Sequence, residues 1–320
     1  MGTNKIEDTM ILGHMPIIGV SYQNTERDEE YRIRFSDENE IVKVIEAAIK
    51  MGVRKFSSAT PDSSQSASLH LRVLKDFAYR GFDVEIIPCL GIPIRLGERK
   101  VDDFRRWATY LAYESETYPE VRQRMLDDPV LNFRESWKEL LLESKPYGDG
   151  DFRVLNINWK QIEENLDYFA ELPVQYIEPG SETDFLALTG RFDLLGELID
   201  KILEAGFRGV LFGVHHAGVT IPKLEDELDH FDGYLTPLNS LGVMMFPTKA
   251  SAEAAVNGTS RDVYAIKPLA GGRVEPRTAF TYVFGFPVKG CIFGAGSVTE
   301  VEGDLGLAIE IIRDLRIPRS

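Results

Sequence analysis

The feature that most constrains this chain is a unit written twice near its C-terminus. An apolar run rich in β-branched residues (263–266) passes through Lys267-Pro268 into Gly271-Gly272, and a second such run (288–293) ends on Gly294-Ala295-Gly296-Ser297. Strand, Gly-rich exit and helix in succession form the grammar of parallel βα units. Folds of that kind gather their ligand site at the C-terminal ends of the strands.

The same rhythm runs upstream. Residues 15–21 (MPIIGVS) are expected to form the first buried strand, with the polar stretch 22–39 a loop or lid and Asp37 the cap of the next helix. Over 41–51, Ile41, Val44, Ile45, Ala48 and Ile49 recur at helical spacing, and Gly52 supplies the stop. Strands are expected at 53–59 and 84–90, with a helix over 69–79 between them. From 97 to 151 the rhythm breaks into helical, aromatic-rich segments divided by Pro119, Pro129 and Pro146. A connection of that length reads as an inserted helical subdomain.

The alternation then resumes. Strands are expected at 152–158, 174–178, 210–214, 233–238, 263–266 and 288–293, with helices over 161–171, 192–205 and, briefly, 224–228. That makes nine candidate strands where a closed barrel needs eight, and 152–158 is assigned to the insertion. The expected architecture is an α/β single domain over 1–320, a (β/α)8 TIM barrel with a helical insertion after the third strand. A doubly wound open sheet is the runner-up; it lacks a GxGxxG after the first strand.

Composition narrows the partners. With 51 acidic against 36 basic residues the net charge is −15, and no basic stretch offsets it, which points away from nucleic acid and from anionic membranes. No apolar run approaches a membrane span. The two cysteines, Cys89 and Cys291, sit in apolar runs and give no disulfide framework, so a reducing, cytoplasmic setting is expected. The partner expected is a small-molecule ligand; the oligomeric state is left open.

The segments also carry a family resemblance. AIKPLAGGRV, VKGCIFGAGSVTEVEGDL, FDGYLTPLNSL and FRGVLFGVHHA follow one another as do the C-terminal segments of the aldo-keto reductase superfamily, and MGVRKFSSATPDS is similar to that family's GxxFFDTAxxYG. The match covers about a hundred C-terminal residues well, the first hundred thinly and the insertion not at all. It implies an eight-stranded barrel, with NADP(H) lying across the C-terminal rim in the family's reductases and NAD(P) the cofactor expected here. Lys267, Pro268, Leu269, Gly271 and Gly272 on one loop, and Gly294, Gly296 and Ser297 on the next, would then face the cofactor's phosphates. Glycine permits close backbone approach, and N–H groups at a helix start receive anions.

The catalytic end departs from the family. Its Asp falls on Ser57, its Tyr near Asp62, no lysine follows the third strand at Cys89, and no histidine follows the fourth. His215-His216 replaces the nicotinamide-contacting pair, Asp304 replaces Asn at the adenine end, and no Arg follows Ser297 to hold a 2′-phosphate.

Taken on their own, the predicted strand ends bring together Ser57, Ser58, Cys89, Glu178, His215, His216, Asn239 and Lys267. His215, His216, Glu178 and Ser57 are the candidate catalytic residues. His215 or His216 with Glu178 and Cys89 would suit a divalent metal, although adjacent strand residues point to opposite faces, so at most one histidine faces the axis unless the strand has already ended. Lys267 could form a Schiff base, but the resemblance makes it a surface-directed lysine of the cofactor loop. Three functions follow: a divergent NAD(P) oxidoreductase, a metal-assisted lyase or hydrolase, or a non-catalytic barrel that binds protein through its insertion.

Overall fold

The computed structural model describes residues 6–133 and 135–315. Eight parallel strands close into a barrel: β1 (Met10–Gly13), β2 (Lys55–Ser58), β3 (Glu85–Leu90), β7 (Tyr176–Pro179), β8 (Gly209–Gly213), β9 (Gly233–Pro237), β10 (Asp262–Ile266) and β11 (Gly290–Gly294), with β11 returning to β1. Helices separate consecutive barrel strands and pack outside. The three remaining strands, β4 (Ile94–Leu96), β5 (Arg99–Lys100) and β6 (Leu155–Ile157), form a small antiparallel sheet in the order β5-β4-β6. The run 152–158 therefore belongs to the insertion and not to the barrel, as expected from the strand count.

Side-chain alternation along the strands builds the barrel interior. Ile11, Ile87, Leu211, Leu235, Tyr264 and Ile292 form a core of their own, separate from the larger core between barrel and helices. Two residues further along the strands, the next inward positions are Gly13, Ser57, Cys89, Glu178, Gly213, Ile266 and Gly294, and all of them line one cavity at the C-terminal mouth. Three of these seven positions are glycines, which leaves the mouth open.

The first strand lies earlier than expected. Met10–Gly13 pairs with Cys291–Gly294, and 15–21 is instead a turn, closed by Ile18 N–H to His14 O (3.1 Å) and Val20 N–H to Met15 O (2.9 Å). The run MILGHMPIIGV is apolar almost throughout, so hydrophobicity cannot place the strand. Pro16 excludes the later register, because it has no N–H for a ladder between two neighbours. The stretch 22–39 is not an open loop either. It holds the helix Thr25–Arg34, capped by Asn24 and laced by Arg27–Glu30 and Glu30–Arg34 ion pairs. Asp37 does cap the following helix, Glu38–Lys50. The short helix expected at 224–228 is the end of a longer one, Ala217–Glu227.

Between β5 and β6 the chain forms helices Asp103–Glu114, Val121–Asp127, Trp137–Glu143 and Asp149–Phe152. Pairing of β4 with β6 brings the two ends of this excursion together. Its helices are pinned to the loop after β9. Arg124 donates to the carbonyls of Gly242, Met245 and Pro247, and buried Asp128 accepts the N–H groups of Val130, Leu131 and Met244 at 2.9, 3.1 and 2.7 Å. Among the described residues no helix is long and apolar enough to cross a membrane.

Candidate active site

The mouth of the barrel opens into a cavity of about 640 Å³, within the usual range of small-molecule sites. Its floor is the upper inward layer of the strands. Glu178, at the end of β7, is 8% exposed and lies over Gly213, where an added Cβ would stand 2.7 Å from its carboxylate. Burial pushes the Glu178 carboxyl up to about 8, against the pull of Lys267 and a hydrogen bond from Cys89, with Glu182 adding to the rise. Glu178 is therefore a protonated acid at neutral pH. The neighbouring Cys89 thiol is pushed up as well, by burial first and then by Glu178 and Glu182. It is a thiol and not a nucleophilic thiolate.

Lys267 reaches this floor from the exit of β10. It adopts a left-handed backbone (φ 53°), and its ammonium lies 4.8 Å from the Tyr22 ring centre. Its side chain is thus in the cavity with Glu178 and Cys89, and not directed to the surface as the resemblance implied. His14 enters from the exit of β1, with Nδ1 2.8 Å from Ser57 Oγ, which also accepts the His14 main-chain N–H at 3.3 Å. Burial, and then Lys267, lower His14 to about 4, so the ring is neutral and Ser57 can fix its tautomer. His14 was missed from the sequence because the first strand was set too late; the signal was its position straight after the run MILG.

His215 and His216 part company just beyond the end of β8, where His216 already serves as the N-cap of the helix Ala217–Glu227. His215 lines the cavity, and its main-chain N–H donates to Asp184 at 2.7 Å. His216 is 1% exposed and faces the inserted helix Asp103–Glu114, where Nδ1 is 2.7 Å from Glu114 Oε1 and the ring packs between Tyr110 and Phe246. Burial works against its protonation, but the Glu114 and Asp184 carboxylates raise its pKa overall. His216 is thus removed from the catalytic and metal candidates: it ties the insertion to the barrel. The metal set of histidine, Glu178 and Cys89 does not form, since among the described residues no three His, Cys, Asp or Glu side chains are placed to hold an ion.

The far part of the cavity runs along the loop after β10, past Lys267, Pro268, Leu269, Gly271, Gly272 and Arg273, to Gly294, Glu275, Glu300 and Asp304. The β10 loop lines the cavity through Lys267, Pro268, Leu269, Gly271 and Gly272, and the β11 turn does so at Gly294. Gly296 N–H is already taken by the Glu300 carboxylate at 2.6 Å, and Ser297 Oγ caps its own helix by accepting Glu300 N–H at 3.2 Å. The Tyr31 ring lies where a Gly296 side chain would project, Arg34 donates to Gly296 O, and Arg27 pairs with Glu300 at 3.0 Å. The helix Thr25–Arg34 thus covers Gly296, and the Glu300 carboxylate holds the Gly296 N–H just ahead of the helix Val298–Asp314.

No protein-family model matches the sequence, and no curated protein does. Solved structures do match. A Pseudomonas aeruginosa structure described as an aldo-keto reductase superposes with a TM-score of 0.56 at 12% identity, covering 95% of this chain and 90% of its own. A second, so described and from the same organism, gives 0.53 at 13%, covering 95% and 91%. The fold is that of the aldo-keto reductases. Of the residues at which the sequence departs from that family's pattern, Ser57 and Cys89 line the cavity, while Asp62 stays outside the lining. The ammonium and the imidazole come instead from the exits of β10 and β1.

Proposed function

We propose that the chain is a divergent oxidoreductase of the aldo-keto reductase fold that binds a nicotinamide dinucleotide along the β10 loop and reduces a small carbonyl compound over Glu178. The observation that carries this reading is one continuous cavity joining a buried, protonated carboxyl to a Gly-rich loop that also presents Arg273. Bound there, the cofactor would supply a hydride to the carbonyl carbon. Glu178 would hold the proton that the developing alkoxide needs, and the Lys267 ammonium would stabilise the charge on that oxygen. Neutral His14, fixed by Ser57, would orient the carbonyl. Lys267, Pro268, Leu269, Gly271, Gly272 and Arg273 would hold the pyrophosphate, and His215 would line the nicotinamide end. Gly296 N–H is held by Glu300 and Ser297 Oγ accepts the Glu300 N–H, so neither is assigned to the phosphates in this reading.

In this reading 97–151 is an inserted helical subdomain of a single barrel domain, fastened beside the mouth through Arg124, Asp128 and the Glu114–His216 contact without lining the cavity itself. A cytoplasmic setting accords with the free thiols of Cys89 and Cys291. Calorimetric titration with NADH and NADPH tests the reading, followed by hydride transfer to a panel of small aldehydes and ketones. Micromolar binding of either cofactor is expected. No binding of either at millimolar concentration would sink it.

A further inference from the structure

The far end of the cavity is acidic. Glu275, Glu300 and Asp304 line it, while Arg273 and Lys267 are the only arginine or lysine among its lining residues, and both lie on the β10 loop. Two of the three carboxylates are engaged: Glu275 caps the helix Pro276–Val283 through Thr278 N–H at 3.0 Å, and Glu300 holds Gly296 N–H and Arg27. The third is not. Asp304 is 8% exposed and faces the cavity, with no hydrogen bond or ion pair to any described residue. Its carboxylate oxygens stay open to the cavity, where hydrogen-bond donors of a ligand can reach them.

We infer that Asp304, backed by Glu275 and Glu300, is a hydroxyl-accepting subsite that takes the unphosphorylated adenosine ribose of NAD and rejects the 2′-phosphate of NADP. A ribose diol donates hydrogen bonds to a carboxylate; a phosphate there meets three acidic side chains and no free cation. Arg27 and Arg34, the cations nearest the turn, are committed to Glu30, Glu300 and Gly296 O. This subsite rests on the proposed binding of a nicotinamide dinucleotide, and its test separates the two.

The experiment is calorimetric titration of the full chain at about pH 8 with NADH, NADPH, adenosine and adenosine 2′-monophosphate, repeated with Asp304→Asn. NADH is expected to bind at least tenfold tighter than NADPH, and adenosine tighter than its 2′-phosphate. Asp304→Asn, nearly isosteric, should narrow both ratios several-fold by improving the phosphorylated ligands. A ratio near one, a preference for NADPH, or ratios unmoved by the variant would overturn the subsite. If adenosine binds selectively but neither dinucleotide does, the subsite stands and the oxidoreductase reading fails. If none of the four binds, both fail.

Discussion

At the residue scale the chemistry turns on Glu178. Its carboxyl is buried, and the upward displacement to about 8 comes first from that burial. A proton donor with a raised pKa is competent below that pH and lost above it. Carbonyl reduction should therefore hold steady from about pH 6 to 7.5 and fall towards tenfold per unit above about 8. Glu178→Gln keeps the shape of the neutral acid but cannot release a proton. It should lower kcat by about 10²–10³, leave the NADH dissociation constant within about twofold, and abolish the limb near pH 8; a limb that persists in the variant would exclude Glu178 as the donor. Gly213→Ala probes the same carboxyl from below. Its methyl would stand 2.7 Å from Glu178 Oε1 and 3.0 Å from Pro179 O, so Glu178 must shift. The expected result is a displaced pH limb with cofactor binding intact, read from the same two measurements.

At the element scale the insertion is fastened to the barrel by a few buried polar residues. Asp128 alone receives three main-chain N–H groups, one of them from Met244 on the loop after β9. Asp128→Ala leaves all three without an acceptor and should cost roughly 2–4 kcal/mol, measured as the change in free energy of unfolding by urea; a loss below about 0.5 kcal/mol would show that water replaces the carboxylate. These elements also show how much was legible beforehand. Seven barrel strands and the place of the insertion follow from apolar runs and Gly stops, because a barrel strand buried on both faces has a one-dimensional signature. β1 does not, since its run continues unbroken into a turn and only Pro16 marks the difference. The His215 and His216 pair was legible as two opposite faces. That His216 meets Glu114, 102 residues away, was not, because the contact is made by the insertion and no local pattern encodes it. Lys267 was legible as a strand-end residue; the family resemblance sent it to the surface, whereas its left-handed backbone accompanies a place on the cavity lining.

At the scale of the whole molecule, buried ionisable groups of opposite sense set the pH dependence of stability. His14 and His70 are lowered to about 4 and about 3, in both cases chiefly by burial. The unfolded chain takes up these protons below about 6.5 while the native state does not, so on their own they would make stability fall as pH drops through that range. Glu178 and Asp304 act the other way: raised to about 8 and about 7, chiefly by burial, they keep protons in the native state that the unfolded chain has released above about 4.5. Between about pH 4.5 and 6.5 the two histidines are opposed by Glu178 and Asp304, with Asp128 and Asp184, also raised by burial, on the carboxyl side, and stability should change little. Above 6.5 the histidines are neutral in both states, whereas Glu178 up to about 8 and Asp304 up to about 7 still favour the more acidic solution. His216, whose pKa is raised, adds in the same direction, since its native charge is lost only at higher pH. The free energy of unfolding should then decline from pH 6.5 to 8.5 by about 2–3 kcal/mol, at up to roughly 1.4 kcal/mol per pH unit for each group. Urea unfolding across pH 5 to 9 measures this directly. The double variant Glu178→Gln with Asp304→Asn should flatten most of the decline and tilt the level stretch relative to the parent, towards lower stability at pH 5, as His14 and His70 are opposed by fewer carboxyls. A double variant with the same profile as the parent would mean that neither carboxyl is protonated in the native mouth, and the proton donor proposed for Glu178 would be lost with it.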